Sequence, residues 1–396
     1  MKKQLYSQIF TVSLTIFAML FGAGNLIFPL RIGMNAGEHT FLGFLGFATT
    51  GVLLPVLGLL AIVAFEGNYT AYFNRLGRYV GTAVIFLSML IIGPLIAMPR
   101  IITLSYEMMR PFIPYINHVP SDYQSGMFAI FFCALVFLVT YQPSRLLQII
   151  GKVLSPLKVI SIISIVLLGV FSGLTPSVIQ VSASEIFFTG FNRGYETLDL
   201  LGAIFFGSII VTLLTQYVPE GRRLSTKEAV TVAGYSSVFA AILLAGVYAG
   251  MTYLGAFHGH GLDHLNEGQI FSAISFRVLG NYGAALIGCT VFLACFTTTV
   301  SVTAVVADYI KRTLSRNTLP YAASVAVVLI LATLTASFGL GPIITYSKPF
   351  ILFFYPIFIV ITFCNILYTL FDFPYIKLPV AVTAVALLVK SLIAAM

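Results

Sequence analysis

Apolar stretches of roughly 18 residues or more recur from one end of the chain to the other, each long enough to cross the ~30 Å of hydrocarbon in a bilayer. In hydrocarbon every backbone N–H and C=O must be satisfied within the protein, so a spanning segment is a helix or part of a closed barrel. Barrel strands alternate polar and apolar residues, and AVIFLSMLIIGPLIAM, residues 83–98, does not. The expected class is therefore an all-α polytopic membrane protein embedded in the lipid bilayer. Composition agrees: of 396 residues, 59% are hydrophobic and 9% charged, where a soluble domain carries about a quarter charged.

Hydropathy places about 11 helical cores. They lie near 9–34, 41–65, 80–107, 127–141, 149–174, 197–217, 230–257, 282–309, 319–338, 349–370 and 376–395. With the N-terminus on the cytoplasmic side, 13 of the 21 Lys and Arg fall inside and six outside, with Arg100 and Lys158 within spans. That bias follows the positive-inside rule. The net charge of +8 sits in short clusters between spans, with no basic tract or aromatic stacking surface, so no nucleic-acid partner is expected. The apolar pattern continues past FGAG, which argues against a cleaved signal. Cys133, Cys289, Cys295 and Cys364 fall in apolar runs without metal-ligand spacing and read as packing residues.

The first span contains FGAGNLIFP, residues 21–29, with Gly22, Gly24 and Asn25 near its midpoint. Close helix packing through small residues, or a kink at Pro29, would account for the glycines alone. The functional reading is a discontinuous helix whose freed amides and carbonyls bind a substrate and an ion at mid-membrane. An amino-acid carboxylate suits the positive N-terminal end of the second half-helix, and a cation suits exposed carbonyls. A repeat supplies the other half of such a site. GYETLDLLGAIFFGSIIVTLL, residues 194–214, is the sixth span, with an interruption expected at Phe206, Gly207 and Ser208. Five spans separate the two, an odd number, so the second half enters from the opposite face.

FAMLFGAGNLIFP followed by GFLGFATTGVLLPVLGLLAI resembles the branched-chain amino acid carrier family of bacteria, the BrnQ type of cation symporter. IGPLIAMPRIITLSYE, GYETLDLLGAIFFG, LACFTTTVSVTA and SKPFILFFYPIFIV extend the resemblance along nearly the whole chain. That family is similar to the amino acid/polyamine/cation superfamily, with its LeuT-like fold of two inverted five-helix repeats. The resemblance implies repeats at 1–175 and 194–371, broken helices one and six, and a peripheral helix at 372–396. It implies import of leucine, isoleucine and valine, small aliphatic amino acids, by symport with Na+ or H+. It places the chain in the bacterial cytoplasmic (inner) membrane and implies no cofactor.

The eighth span carries ACFTTTVSV, residues 294–302, where Ala294, Thr297 and Thr298 share one helix face. A carbonyl and two hydroxyls there suit a dehydrated Na+, a hard cation that wants oxygen ligands. Spacing alone fits equally well with hydroxyls bonded back to their own helix. The resemblance implies that Ala18 and Phe21 supply carbonyls opposite them, and that Asn25 matches an asparagine at a second sodium in some relatives. The substrate carboxylate is expected at the amides of Gly22, Ala23 and Gly24. Its ammonium is expected at carbonyls from Phe205 to Ser208, including Gly207. Its side chain is expected among Ile92, Gly93, Phe205, Phe206 and Phe292. The third span lacks the mid-membrane tyrosine that closes the pocket in distant relatives.

Lys158 either snorkels to the cytoplasmic face or brings its ammonium to the ion site, where burial would let it exchange a proton. Asp199 reads as a cap or external gate element, and Glu107 with Arg110 as an exterior pair. His258, His260 and His264 form a loop cluster beside Asp263 that is ordinarily solvated, and no transition-metal site is expected. A symporter of the same fold for another neutral amino acid is the nearest alternative. An intramembrane enzyme is the alternative from another class, but it needs converging nucleophiles or ligands, and the histidines lie in loops. The sequence carries no signal for oligomeric state.

Overall fold

The computed structural model describes residues 2–22, 24–114, 118–141, 155–171, 181–216 and 225–395, with the side chains of 2–8, 122, 155–159, 161, 394 and 395 outside that description. The segment holding FGAGNLIFP is two helices, α1 (Lys2–Leu20) and α2 (Gly24–Ala36). In a continuing helix the amide of Gly22 would close on Ala18 O. It closes instead on Leu20 O at 3.0 Å, and the helix ends.

The second span is α3 (Thr40–Ala48) running through a π turn into α4 (Leu54–Ala64), followed by the short α5 (Tyr69–Asn74). The third joins α6 (Arg78–Leu90) to α7 (Ala97–Met109) through a wide turn that holds Pro94. Proline has no N–H and drives the preceding residue out of helical geometry; Gly93 takes φ −90°, ψ −126°. Then come α8 (Ser121–Thr140) and α9 (Ser155–Val170). A second interrupted helix follows, α10 (Ala183–Tyr195) and α11 (Asp199–Gln216). Side-chain capping boxes at Ser225 and Asn266 start α12 (Thr226–His258) and α13 (Glu267–Tyr309), the latter bent at Gly280. The chain closes with α14 (Tyr321–Ala336), α15 (Leu340–Phe371) and α16 (Lys377–Ala395). Among the described residues seven helical stretches are long and apolar enough to cross a membrane, with Ile9–Leu20 and Tyr321–Ala336 as shorter apolar helices.

The sixth span differs from expectation. It begins at Ala183, and its interruption lies at residues 196–198, not at Phe206, Gly207 and Ser208, through which α11 is continuous. Gly207 is there for packing: a Cβ on it would lie 2.2 Å from Ile62. The true break is marked by Leu198 at φ 63°, a left-handed conformation that costs a branched residue about 1–2 kcal/mol.

Helix pairing shows the inverted repeat directly. Both halves of the first span pack along α12, the seventh, and the halves of the sixth pack along α3 and α4, the second. Exchanging each span for its counterpart five places away, 1 for 6 and 7 for 2, turns one pair into the other. The third and eighth spans, α7 and α13, pack on each other, as do the fourth and ninth, α8 and α14.

Two of these pairings are backbone contacts. A Cβ on Gly33 of α2 would lie 1.8 Å from Thr252 O of α12, and one on Gly190 of α10 would lie 2.1 Å from Gly43 O of α3. Small residues allow such approach where helices must be held by packing. Gly33→Ala is expected to lower the stability of the detergent-solubilised protein by about 1–3 kcal/mol or more, the usual cost of overpacking. Gly246→Ala, with no atom within 4 Å of its added Cβ, is expected to leave the melting temperature unchanged or slightly raised.

Candidate functional site

Both interruptions face one cavity of roughly 60 Å³. The first break contributes Met19, Leu20, Gly22 and Gly24, and the second Thr197, Leu198 and Asp199. Ile92 and Arg100 of the third span and Thr298 of the eighth complete the wall.

Asn25 ties the breaks together. Fully buried, its Nδ2 stands within hydrogen-bonding reach of Leu20 O at 2.6 Å, Asp199 Oδ2 at 2.9 Å and Tyr248 Oη of α12, three acceptors sharing two amide hydrogens. Its Oδ1 is buried with no partner among the described residues. An orphaned buried acceptor in a native fold calls for an ion or water to meet it. Phe21 stacks between Phe17 and Tyr248 at centroid distances of 5.2 and 6.3 Å, which holds the first break against α12.

At the second break the freed groups are mostly taken. Thr197 Oγ1 donates to Gly194 O at 2.8 Å and accepts the Asp199 amide at 3.3 Å. The Glu196 carbonyl accepts Arg100 Nη1, and Arg100 Nη2 donates to Ser347 Oγ of α15 at 2.9 Å. The negative end of α10 favours a cation there. The Arg100 guanidinium also lies 5.4 Å from the Phe28 ring centroid. On the face where α2 and α10 lie, a chain of ion pairs caps the cavity. Arg193 meets Glu196 at 3.0 Å and Glu267 at 3.8 Å, and Arg31 meets Glu267 at 3.8 Å.

On α13 the hydroxyls of Thr297 and Thr298 lie 2.9 and 3.0 Å from Ala294 O and donate to it. Three oxygens thus cluster on one face while their protons bond back to the helix.

Of the residues expected from sequence, Gly22, Gly24, Ile92, Phe206 and Thr298 line the cavity. Ala23 lies outside the described residues. Gly93 neighbours the wall, its absent Cβ 3.1 Å from Val306. Four others face elsewhere. On α11 the cavity face is Asp199, Gly202 and Phe206, spaced three and four apart. Phe205 therefore points to Tyr69 and Phe73, Gly207 to Ile62, and Ser208 bonds Phe205 O at 3.1 Å. Phe292 packs with Phe128, Phe132 and Phe296, off the face that carries Thr298.

Asp199 stands not at the outer end of the sixth span but in the first turn of α11 at the second break, 7% exposed. Glu107 bonds Asn266 Nδ2 at 2.8 Å, the partner the structure gives it in place of Arg110. His258 ends α12, with Nε2 3.0 Å from Gly169 O, and no metal-holding group of three His, Cys, Asp or Glu occurs among the described residues. Lys158 belongs to α9, its side chain outside the described residues. Arg100, Thr197 and Asp199 were missed as cavity residues. The usable signal was charge within an apolar span, which marks function by default.

Arg100→Lys keeps the charge but not the two-point fork. The melting stability of this variant is expected to fall by about 1.5–3 kcal/mol, the worth of hydrogen bonds from a charged group.

Residues 6–396 match the family described as branched-chain amino acid transport protein. The chain is 33% identical over 376 residues to branched-chain amino acid permease BrnQ of Bacillus subtilis, covering 93% of this chain and 83% of that protein. It is 31% identical over 361 residues to the branched-chain amino acid transport system 3 carrier protein of Pseudomonas aeruginosa, covering 88% and 78%. Among solved structures it is similar to inward-facing Mhp1, with a TM-score of 0.68 at 13% identity over 97% of this chain and 85% of that one. It is also similar to MhsT in complex with L-phenylalanine, with a TM-score of 0.59 at 18% identity over 94% and 98%. At those identities the likeness shows the fold, the LeuT-like one that the family resemblance implied.

Proposed function

We propose that this chain, which belongs to the branched-chain amino acid transport protein family, carries leucine, isoleucine and valine across the membrane together with a cation. The observation that carries this reading is that two helix interruptions, from oppositely oriented repeats, open on one cavity. Each repeat supplies groups that a continuous helix would keep to itself. Membership of a transport family sets aside the intramembrane enzyme.

In this reading the substrate carboxylate meets the amide end of α2 at Gly24, where the helix dipole favours a negative charge. The side chain enters among Ile92, Ile101 and Phe206, all lining residues. Burying it yields roughly 1.5–3 kcal/mol. One methylene changes binding by only about 1–3 kcal/mol, so discrimination among the three amino acids is modest. Na+ is held by the oxygens of Ala294, Thr297 and Thr298 with carbonyls of Ala18 and Phe21, and the orphaned Asn25 Oδ1 serves a second cation. Proton coupling through Lys158 is the other form of the same cycle. The repeats are residues 1–175 and, with α10 included, 183–371, with 372–396 peripheral. The protein sits in the bacterial cytoplasmic membrane with its N-terminus inside.

Purified protein in liposomes is expected to accumulate labelled leucine above its equilibrium level, competed by isoleucine and valine. Separate Na+ and pH gradients identify the coupling ion, and loss of all gradient dependence rejects symport. Thr298→Val, which removes one oxygen and keeps the shape, is expected to reduce Na+-driven uptake at least about tenfold, one ligand being worth ~1.4 kcal/mol or more.

A further inference from the structure

We propose that Asp199 receives the α-ammonium group of the transported amino acid, a role that rests on the transport reading above. Asp199 lines the cavity at the first turn of α11 and is 7% exposed. A carboxylate at that depth is costly unless a positive charge meets it. Its nearest partners are neutral: Asn25 Nδ2 at 2.9 Å on Oδ2, with the Thr197 hydroxyl bonded to its amide. No lysine or arginine forms an ion pair with it among the described residues.

The cations nearby are turned to other partners. Arg100 holds Glu196 O and Ser347 through Nη1 and Nη2, with only its Nε unpartnered among the described residues, while Arg193 and Arg31 pair with Glu196 and Glu267. Of the carbonyls at the second break, the other natural acceptors for an ammonium, most are engaged. Gly194 O accepts Thr197 Oγ1, Tyr195 O accepts the Leu198 amide, Glu196 O accepts Arg100, and Leu198 O accepts the Gly202 amide, which leaves that of Thr197 beside Asp199. The carbonyls from Phe205 to Ser208 lie within continuous helix. Asp199 is the one acidic side chain among the described residues of the cavity wall.

The amide end of α2 lines the same cavity through Gly24. A positive helix end and an acidic side chain thus share one largely apolar cavity, matching the two ends of a zwitterion. The substrate then supplies the charge that Asp199 lacks, and a molecule with the same side chain but no amine cannot.

The test is calorimetric binding to the full-length purified protein in Na+-containing buffer. The ligands are L-leucine and (S)-2-hydroxy-4-methylpentanoate, which has a hydroxyl where leucine has its ammonium. The wild-type protein is expected to bind leucine at least about 100-fold more tightly, as for a buried charge pair against its neutral analogue. Asp199→Asn keeps the size of the side chain and an acceptor for Asn25. It is expected to weaken leucine about 100-fold and the hydroxy acid by no more than about threefold, so that the preference collapses. Equal loss of both ligands overturns the proposal, as does loss of Na+ dependence with the preference intact, which would make Asp199 a cation ligand. Should the variant not fold, hydroxy-acid binding by the wild type as tight as that of leucine overturns the proposal by itself. A wild-type protein that binds no branched-chain amino acid removes the transport reading and this role with it. Leucine binding with an unchanged preference in Asp199→Asn removes this role alone.

Discussion

A helix interrupted in hydrocarbon leaves amides and carbonyls that water does not reach, and each must find a partner within the protein. In this chain one side chain carries much of that demand. Asn25 bonds the last carbonyl of α1, the carboxylate that opens α11 and the hydroxyl of Tyr248 on α12. The first and sixth spans are thereby joined at their weakest points, and a third span is held to both. A leucine of similar size would leave Leu20 O and Asp199 short of a donor, at about 1–3 kcal/mol for each buried group.

The polar groups around the cavity divide into two sets. On the face of α2 and α10, arginines and glutamates pair with one another through Arg31, Glu267, Arg193 and Glu196. Arg100 adds a clamp from the third span to the tenth through Ser347. Glu196 Oε1 and Arg100 Nε are left without a partner among the described residues, and Asp199 and Asn25 Oδ1 are incompletely met by the protein. The ion pairs give rigidity, and the incompletely met groups give a place for a guest. A fully satisfied site would have nothing to offer a zwitterion.

The class, the first break and the inverted repeat were legible in the sequence, because glycine and asparagine inside an apolar run are costly and therefore informative. The second break was misplaced for the same reason. Gly207 looks like an interruption and is a packing glycine against Ile62. The real one, Glu196-Thr197-Leu198, has no glycine and relies on Leu198 in a left-handed conformation. That error carried the expected ammonium site to the wrong turn of α11, and with it Phe205, Gly207 and Ser208. Helical phase also decided Phe292, six residues before Thr298 and so on another face. Arg100 and Asp199 were visible as charges in apolar surroundings, but which way they point depends on tertiary packing that periodicity does not encode.

The glycine contacts make the two halves of the first broken helix mechanically unequal. Gly33 and Gly190 press backbone against backbone, so α2 and α10 cannot slide along α12 and α3 without collision. Residues 2–20 contain no glycine, whereas α11 has its own close approach, a Cβ on Gly67 lying 2.7 Å from Ser208 Cα. Side chains exchange rotamers where peptide groups cannot. Compliance is thus concentrated in α1, and a hinge at the first break would swing that half while its stiff counterpart α2 stays put.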